Sequence, residues 1–206
     1  MARGMALKYT IGLDEVGRGA LAGPVTVGAV VLGAGTRLKT VAAGLPLRDS
    51  KKLTPRQREE WVRRLKMSGT VPYAFASVSA KRIDRVNISR AANIAAGAAL
   101  RRVCAAHGID LGQARVFLDG GLFLPDGAFG PVRARTVIKG DEKIPAISLA
   151  SIVAKVHRDR LMVRRHSKFP EYGFAKHKGY GTRAHIRLVK RRGLSPMHRK
   201  TFCRFA

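Results

Sequence analysis

The chain has little acid, little cysteine and no long apolar run. Only 13 of its 206 residues are Asp or Glu. Its two cysteines, Cys104 and Cys203, fit neither a disulfide framework nor a zinc spacing. Both read as reduced thiols of a cytoplasmic protein, with Cys104 packed in a helix. The six histidines show no ligand spacing, which argues against zinc. No apolar run reaches the ~18 residues of a membrane-spanning helix. The first eight residues contain no long apolar stretch, so no secretory leader is expected. Long linkers, low-complexity tracts and internal repeats are also missing. The length fits one domain, 1–206, ending in a helical segment.

Basic residues fill the space the acids leave. Forty Lys and Arg give a formal net charge of +27, which is a statement about partners rather than fold. Nucleic acid is the natural polyanion, because each neutralised phosphate releases condensed counterions. An acidic membrane surface is the rival. It would need a strongly amphipathic basic helix, and the candidate, Arg183 to Arg192, offers only Ile186, Leu188 and Val189 as large apolar residues. At 46% hydrophobic, the chain has enough apolar material for a sizeable core.

Pattern and punctuation give a coarse element order. Tyr9 to Leu13 reads as a buried strand and Val25 to Leu32 as a second, with Gly17 to Pro24 a tight connection. The Gly-rich stretch Leu32 to Leu47 reads as a loop. Thr54-Pro55-Arg56-Gln57 is a helix start with a capping box, and the helix stops near Gly69. Val71 to Ser79 is a third strand. Asn87 caps a long Ala-rich helix that runs to His107 and ends at Gly108. Arg115 to Leu118 and Arg133 to Ile138 are further strands. Ile147 to Val163 is a helix, apolar then basic, and Thr182 caps a last one, Arg183 to Arg192. Strands first cluster and then alternate with helices, which implies an α/β fold: a mixed sheet covered by helices.

Against this frame the few acids stand out. Ile11-Gly12-Leu13-Asp14-Glu15-Val16-Gly17-Arg18-Gly19 delivers two adjacent carboxylates from a strand into a Gly-Arg-Gly turn. Adjacent carboxylates repel, a cost that a cation relieves. The flanking glycines let backbone N–H groups approach a ligand. Asp119 closes the fourth strand and Asp141 follows the fifth. Three neighbouring strands would bring four carboxylates to one sheet edge, a set suited to Mg²⁺. Two such ions ~3.5–4 Å apart can clamp an in-line phosphodiester displacement. Read alone, Asp119-Gly120-Gly121 is a turn and Lys139-Gly140-Asp141-Glu142-Lys143 a solvated charged loop.

The ordered motifs resemble those of bacterial ribonuclease HII, a type 2 ribonuclease H. They are Gly12 to Gly19 with Gly23-Pro24-Val25, Asp49-Ser50-Lys51-Lys52-Leu53-Thr54, Leu118-Asp119-Gly120 and Lys139-Gly140-Asp141. They continue with Ala150 to Val156 followed by Arg158-Asp159-Arg160, His177-Lys178-Gly179-Tyr180-Gly181-Thr182 and Ser195-Pro196-Met197-His198-Arg199. The set covers nearly the whole chain. The resemblance implies a ribonuclease H-like fold with a C-terminal helical part. It implies endonucleolytic cleavage of RNA in RNA–DNA hybrids and cutting 5′ of single ribonucleotides embedded in duplex DNA. The products would carry a 3′-hydroxyl and a 5′-phosphate. Carried over residue by residue, Asp14, Glu15, Asp119 and Asp141 are the metal ligands for Mg²⁺ or Mn²⁺. A metal-held water is then the nucleophile, and the second ion stabilises the leaving 3′-oxygen. Backbone groups of Gly17, Arg18 and Gly19 would sense the 2′-hydroxyl, and Tyr180 would pack on the adjacent deoxyribose. Ser50, Lys51 and Lys52 would hold backbone phosphates.

Other readings stay open at this stage. Ribonuclease HIII tends to carry Lys where this chain has Arg18, and has an extra N-terminal domain for which the 13 residues before Asp14 leave no room. A non-catalytic basic nucleic-acid binder would explain the charge but not the carboxylates. Asp159 is expected in a structural ion pair, and Pro125-Asp126-Gly127 as a turn. Gly121 to Arg135 matches the family least. A monomer is the default expectation, no separate C-terminal substrate-binding domain is expected, and a replication clamp is left open as a partner.

Overall fold

A computed structural model of the chain describes residues 6–124, 127, 129–130 and 132–205. Pro125 and Asp126 therefore lie outside the described residues. Five strands form one mixed sheet in the order β3-β2-β1-β4-β5. They are β1 (Tyr9–Val16), β2 (Val25–Gly33), β3 (Tyr73–Val78), β4 (Ala114–Asp119) and β5 (Arg133–Val137). Strands β1, β4 and β5 run parallel, whereas β2 is antiparallel to both β1 and β3. The first strand extends past Leu13, where the apolar run ends, because Asp14, Glu15 and Val16 keep pairing with Gly28, Val27 and Thr26.

The helices are α1 (Leu38–Val41), α2 (Pro55–Ser68), α3 (Ala80–Val86), α4 (Ile88–His107), α5 (Gly140–Lys143), α6 (Pro145–His166), α7 (Phe174–His177) and α8 (Arg183–Arg192). The start of α2 is the expected capping box: Thr54 Oγ1 accepts from Gln57 N–H, and Gln57 Oε1 accepts from Thr54 N–H. Gly69 ends that helix in the left-handed region, as Gly108 ends α4. Four short helices, α1, α3, α5 and α7, are absent from the sequence reading. Helix α1 lies within the stretch read as a loop, and α3 occupies the gap between β3 and Asn87 with Ser79 as its cap.

Alternation along the strands sorts the core onto two faces. Ile11, Leu13, Val25, Val27, Val116 and Leu118 pack against the alanine side of α4. On the other face Val30 packs with Trp61 and Leu65 of α2 and with Leu149, Ile152 and Val153 of α6. Helix α6 lies unusually close to the sheet. A Cβ on Gly12 would stand 2.2 Å from the Ala146 carbonyl carbon, and one on Gly28 2.4 Å from the Ala150 oxygen. These two positions have no space for a side chain, and they fix α6 directly above the end of β1. A third cluster, Ala22, Met162, Tyr172, Phe174 and Val189, joins the C-terminal helical part to the connection between β1 and β2. Among the described residues, no helix is long and apolar enough to cross a membrane. Cys104 and Cys203 are both free thiols.

Candidate active site

The carboxylates gather where the parallel strands end, the usual place for a site in such sheets. Leu13 pairs with Leu118, so the next residues, Asp14 and Asp119, are neighbours across β1 and β4. Both belong to the sheet face opposite Leu13 and Leu118, the face covered by α6. Asp14 is buried, and its Oδ1 accepts from Glu15 N–H at 2.7 Å. Asp119 Oδ1 accepts from Gly140 N–H at 2.7 Å. That bond is aimed by Lys139, whose left-handed φ of 53° turns the chain from β5 into α5. Asp141, on α5 rather than in a free loop, is thereby drawn inward and buried. Its carbonyl accepts from the Ser148 hydroxyl of α6.

This grouping is electrostatically unfavourable as it stands. Burial holds the Asp14 carboxyl well above the usual carboxylate range. The Ser151 hydroxyl opposes that shift, and Glu15 and Asp119 reinforce it. Burial likewise raises Glu15, against the pull of Arg18. Asp141 is raised by burial, with Asp119 and Asp49 adding like charge. Glu15 Oε2 is buried without a hydrogen-bond partner. Among the described residues, no three His, Cys, Asp or Glu side chains converge in metal-ligating geometry. The four acids share an edge and feel one another's charge without closing on a common point. Hard oxygen donors, mutual repulsion and an orphaned carboxylate oxygen are together what a divalent cation fits.

The Gly-Arg-Gly turn is built from beneath. Gly17 has φ of 85°, and a Cβ there would meet Arg158 Nε at 2.2 Å. Arg199, fully buried, donates to Gly17 O at 2.6 Å, Arg18 O at 2.8 Å and Gly23 O at 3.0 Å. Arg158, also fully buried, donates to Pro24 O, Ala22 O and Lys178 O at 2.9–3.0 Å. In a trans peptide the N–H points opposite to the C=O. With the Gly17 and Arg18 carbonyls turned in toward Arg199, the N–H groups of Arg18 and Gly19 face away from it. Gly19 is exposed with open space above it. The Arg18 side chain spans to Glu15 Oε1 at 3.3 Å, Gly121 O at 3.4 Å and Ser89 Oγ at 3.0 Å.

Tyr180 belongs to the same assembly. Gly179 O accepts from Leu21 N–H at 2.9 Å and Ala22 N–H at 3.2 Å, which locks the tyrosine segment to the Gly17–Pro24 connection. The half-buried Tyr180 ring lies 5.3 Å from the Arg158 guanidinium carbon and 6.0 Å from Lys155 Nζ. The predicted phosphate holders divide. Ser50 is buried and bonded to Ser151 Oγ at 2.8 Å, whereas Lys51 and Lys52 are exposed, Lys52 within 3.4 Å of Glu142. Asp159 is in an ion pair, with Lys155 at 2.8 Å rather than with its flanking arginines.

Sequence reasoning gave no role to Arg158, Arg199, Ser148 or Ser151. The arginines sit inside motifs already singled out. A buried guanidinium whose partners are all carbonyls leaves no trace in charge pairing along the chain.

The sequence profile of the Ribonuclease HII family matches residues 11–205. The chain belongs to the ribonuclease HII family. A ribonuclease HII of Chlamydia abortus is 42% identical over 193 residues, 93% of this chain and 82% of that one. A ribonuclease HII of Coxiella burnetii is 40% identical over 191 residues, 93% and 86% of the two chains. The ribonuclease H2 of Pyrococcus horikoshii, a solved structure, superposes with a TM-score of 0.71 at 25% identity, covering 96% of each chain. The mixed sheet with flanking helices is thus the ribonuclease H-like fold. The family is one of type 2 ribonucleases H, endoribonucleases that act on RNA–DNA hybrids.

Proposed function

We propose that this ribonuclease HII cuts on the 5′ side of single ribonucleotides embedded in duplex DNA, as well as within RNA–DNA hybrids. The products are a 3′-hydroxyl and a 5′-phosphate. The observation that carries the reading is the edge shared by the four carboxylates, buried or half-buried, and the arginine-held Gly17–Pro24 turn. One element supplies charge for catalysis, and the other presents backbone donors to a sugar-phosphate.

Asp14, Glu15, Asp119 and Asp141 would hold Mg²⁺ or Mn²⁺, a pair of ions in the full site. Bound there, such ions polarise the phosphate, activate water and stabilise the leaving oxygen. The rest is done by the chain. The outward N–H groups of Arg18 and Gly19 meet the 2′-hydroxyl, the group that separates RNA from DNA. The Tyr180 ring packs on the adjoining deoxyribose, so it reads the step from RNA to DNA. Lys51 and Lys52 hold phosphates near the Asp141 side of the edge. The buried Ser50 supports them by fixing their turn to α6 through Ser151.

The Tyr180→Ala variant tests the assignment of roles. Its kcat/KM on a DNA duplex with one ribonucleotide is expected to fall ~10-fold or more, the scale of one lost stacking contact. Its Kd for plain duplex DNA is expected to stay within about twofold, because phosphate contacts dominate that binding. Equal loss in both assays would make Tyr180 a packing residue.

A further inference from the structure

We propose that His185 and His198 are positioning residues that form a one-way relay of neutral imidazoles from the Ser195 backbone to the Tyr180 carbonyl, holding Tyr180 in its working place. The inference deepens the reading above and rests on the role given there to Tyr180.

The direction of the relay follows from its fixed end. Ser195 N–H donates to His198 Nδ1 at 3.0 Å, and the Ser195 hydroxyl lies 2.8 Å from the same nitrogen. That nitrogen must carry the lone pair. In a neutral ring the proton then sits on His198 Nε2. His198 Nε2 is 3.0 Å from His185 Nε2, so His185 accepts there and carries its own proton on Nδ1. His185 Nδ1 donates to Tyr180 O at 2.9 Å. A backbone N–H at one end and a carbonyl at the other admit only this order. A proton added to either ring sets N–H against N–H at one of these contacts.

A third imidazole grips the other side of the tyrosine. His177 Nδ1 accepts from Gly179 N–H at 3.1 Å, and its Nε2 donates to Tyr172 O at 2.7 Å. The His177 ring stacks on His185 with centroids 4.0 Å apart. The backbone around Tyr180 is thus held on both sides, at Gly179 N one residue before it and at Tyr180 O. Phe174 packs edge-on against His185 at 5.7 Å, and Tyr172 lies 4.9 Å from His198. The charged or titratable groups around this cluster are Lys178 and His166 toward His177, and Glu171 and Arg192 toward Tyr172. Arg199 follows His198 directly in the chain. Most are cationic, which disfavours a charged imidazole. Burial acts the same way, taking His185 down to about 4 and lowering His177 and His198.

Two measurements on the full chain test the relay. In ¹⁵N-histidine NMR at neutral pH, His185 is expected as the Nδ1–H tautomer, with His177 and His198 as Nε2–H tautomers. A charged His185, an Nε2–H His185 or an Nδ1–H His198 would overturn the proposal. The second readout is a ratio: kcat/KM on duplex DNA with one ribonucleotide over kcat/KM on a uniform RNA–DNA hybrid. His185→Leu keeps an apolar body against Phe174 and removes both bonds. It is expected to lower the ratio about tenfold, the scale of one lost buried hydrogen bond. His185→Asn can donate from near the Nδ1 position and is expected to restore most of it. An unchanged ratio in a folded His185→Leu protein would overturn the relay. If that variant does not fold, the tautomers of the unaltered chain decide. If the unaltered chain is active on both substrates but the ratio ignores Tyr180→Ala, the role of Tyr180 fails and the relay loses its function with it. A relay that fails alone leaves the Tyr180→Ala effect intact.

Discussion

Asp14→Asn is expected to lower cleavage by ~10³-fold or more while hybrid binding stays within about threefold. The separation follows from where Asp14 sits. It is buried beneath α6 and beside Asp119, so it would act through a bound ion rather than through direct contact with the nucleic acid. The amide keeps the shape and the bond from Glu15 N–H but removes the charge that a divalent ion needs. Stability should move the other way. In the metal-free protein a buried, poorly paired carboxylate is a cost, and a neutral amide relieves it. The melting temperature without metal should therefore be unchanged or higher. Excess Mn²⁺ should raise the melting temperature of the unaltered chain by preferential binding to the fold, and raise that of the variant much less. Metal-titrated thermal melts and single-turnover cleavage check both parts. An active Asp14→Asn enzyme would remove Asp14 from the site.

Arg199→Leu is expected to cost ~2–4 kcal/mol of stability, because three buried carbonyls lose their donor at once. Leucine fills part of the volume but donates nothing to Gly17, Arg18 or Gly23. The charge it removes is itself costly to bury, which keeps the net loss below the sum of three separate losses. Function should suffer beyond the stability effect. The N–H groups of Arg18 and Gly19 face outward because their partner carbonyls are drawn in by Arg199, so freeing the turn blurs that presentation. At a temperature where the variant is fully folded, kcat/KM on a single-ribonucleotide duplex should still be down about tenfold. The underlying loss is the order of one hydrogen bond to a positioned group. Urea unfolding gives the first quantity and steady-state kinetics the second. A variant as stable and as active as the unaltered chain would show that the turn holds itself.

Much of the frame was legible because local rules and tertiary structure agreed. Thr54, Gln57 and Gly69 bounded α2, and Asn87 and Gly108 bounded α4, since capping is chemistry between near neighbours. The neighbouring strand ends were legible for a different reason. With so few acids, their spacing after apolar β-prone runs pointed to one edge, and the β1–β4 register places Asp14 beside Asp119. The end of β1 was not legible, because sheet pairing with Gly28 and Val27 carries two charged residues past the apolar run. Helix α3 was hidden because seven residues between a strand and a strong cap give too little periodicity. The supports of the site were the least visible part. Arg158 and Arg199 act through backbone carbonyls as many as 182 residues away, and no pattern of side-chain types reports such partners. The histidines showed no ligand spacing and were given no chemistry, and their bonds to Tyr180 O and Gly179 N appear only in three dimensions.

The proposed function makes the carboxylate edge and the Gly17–Pro24 turn together a metal-dependent cutter of RNA-to-DNA junctions. The direct measurement uses a labelled DNA duplex containing one ribonucleotide, incubated with Mg²⁺, with Mn²⁺ and with chelator, beside an all-DNA duplex. Cutting on the 5′ side of the ribonucleotide with either metal, lost with chelator and absent from the all-DNA duplex, is the predicted result. Salt-sensitive binding to both duplexes, with no cutting under any metal, would contradict it and leave the acidic edge a structural feature of a basic nucleic-acid binder.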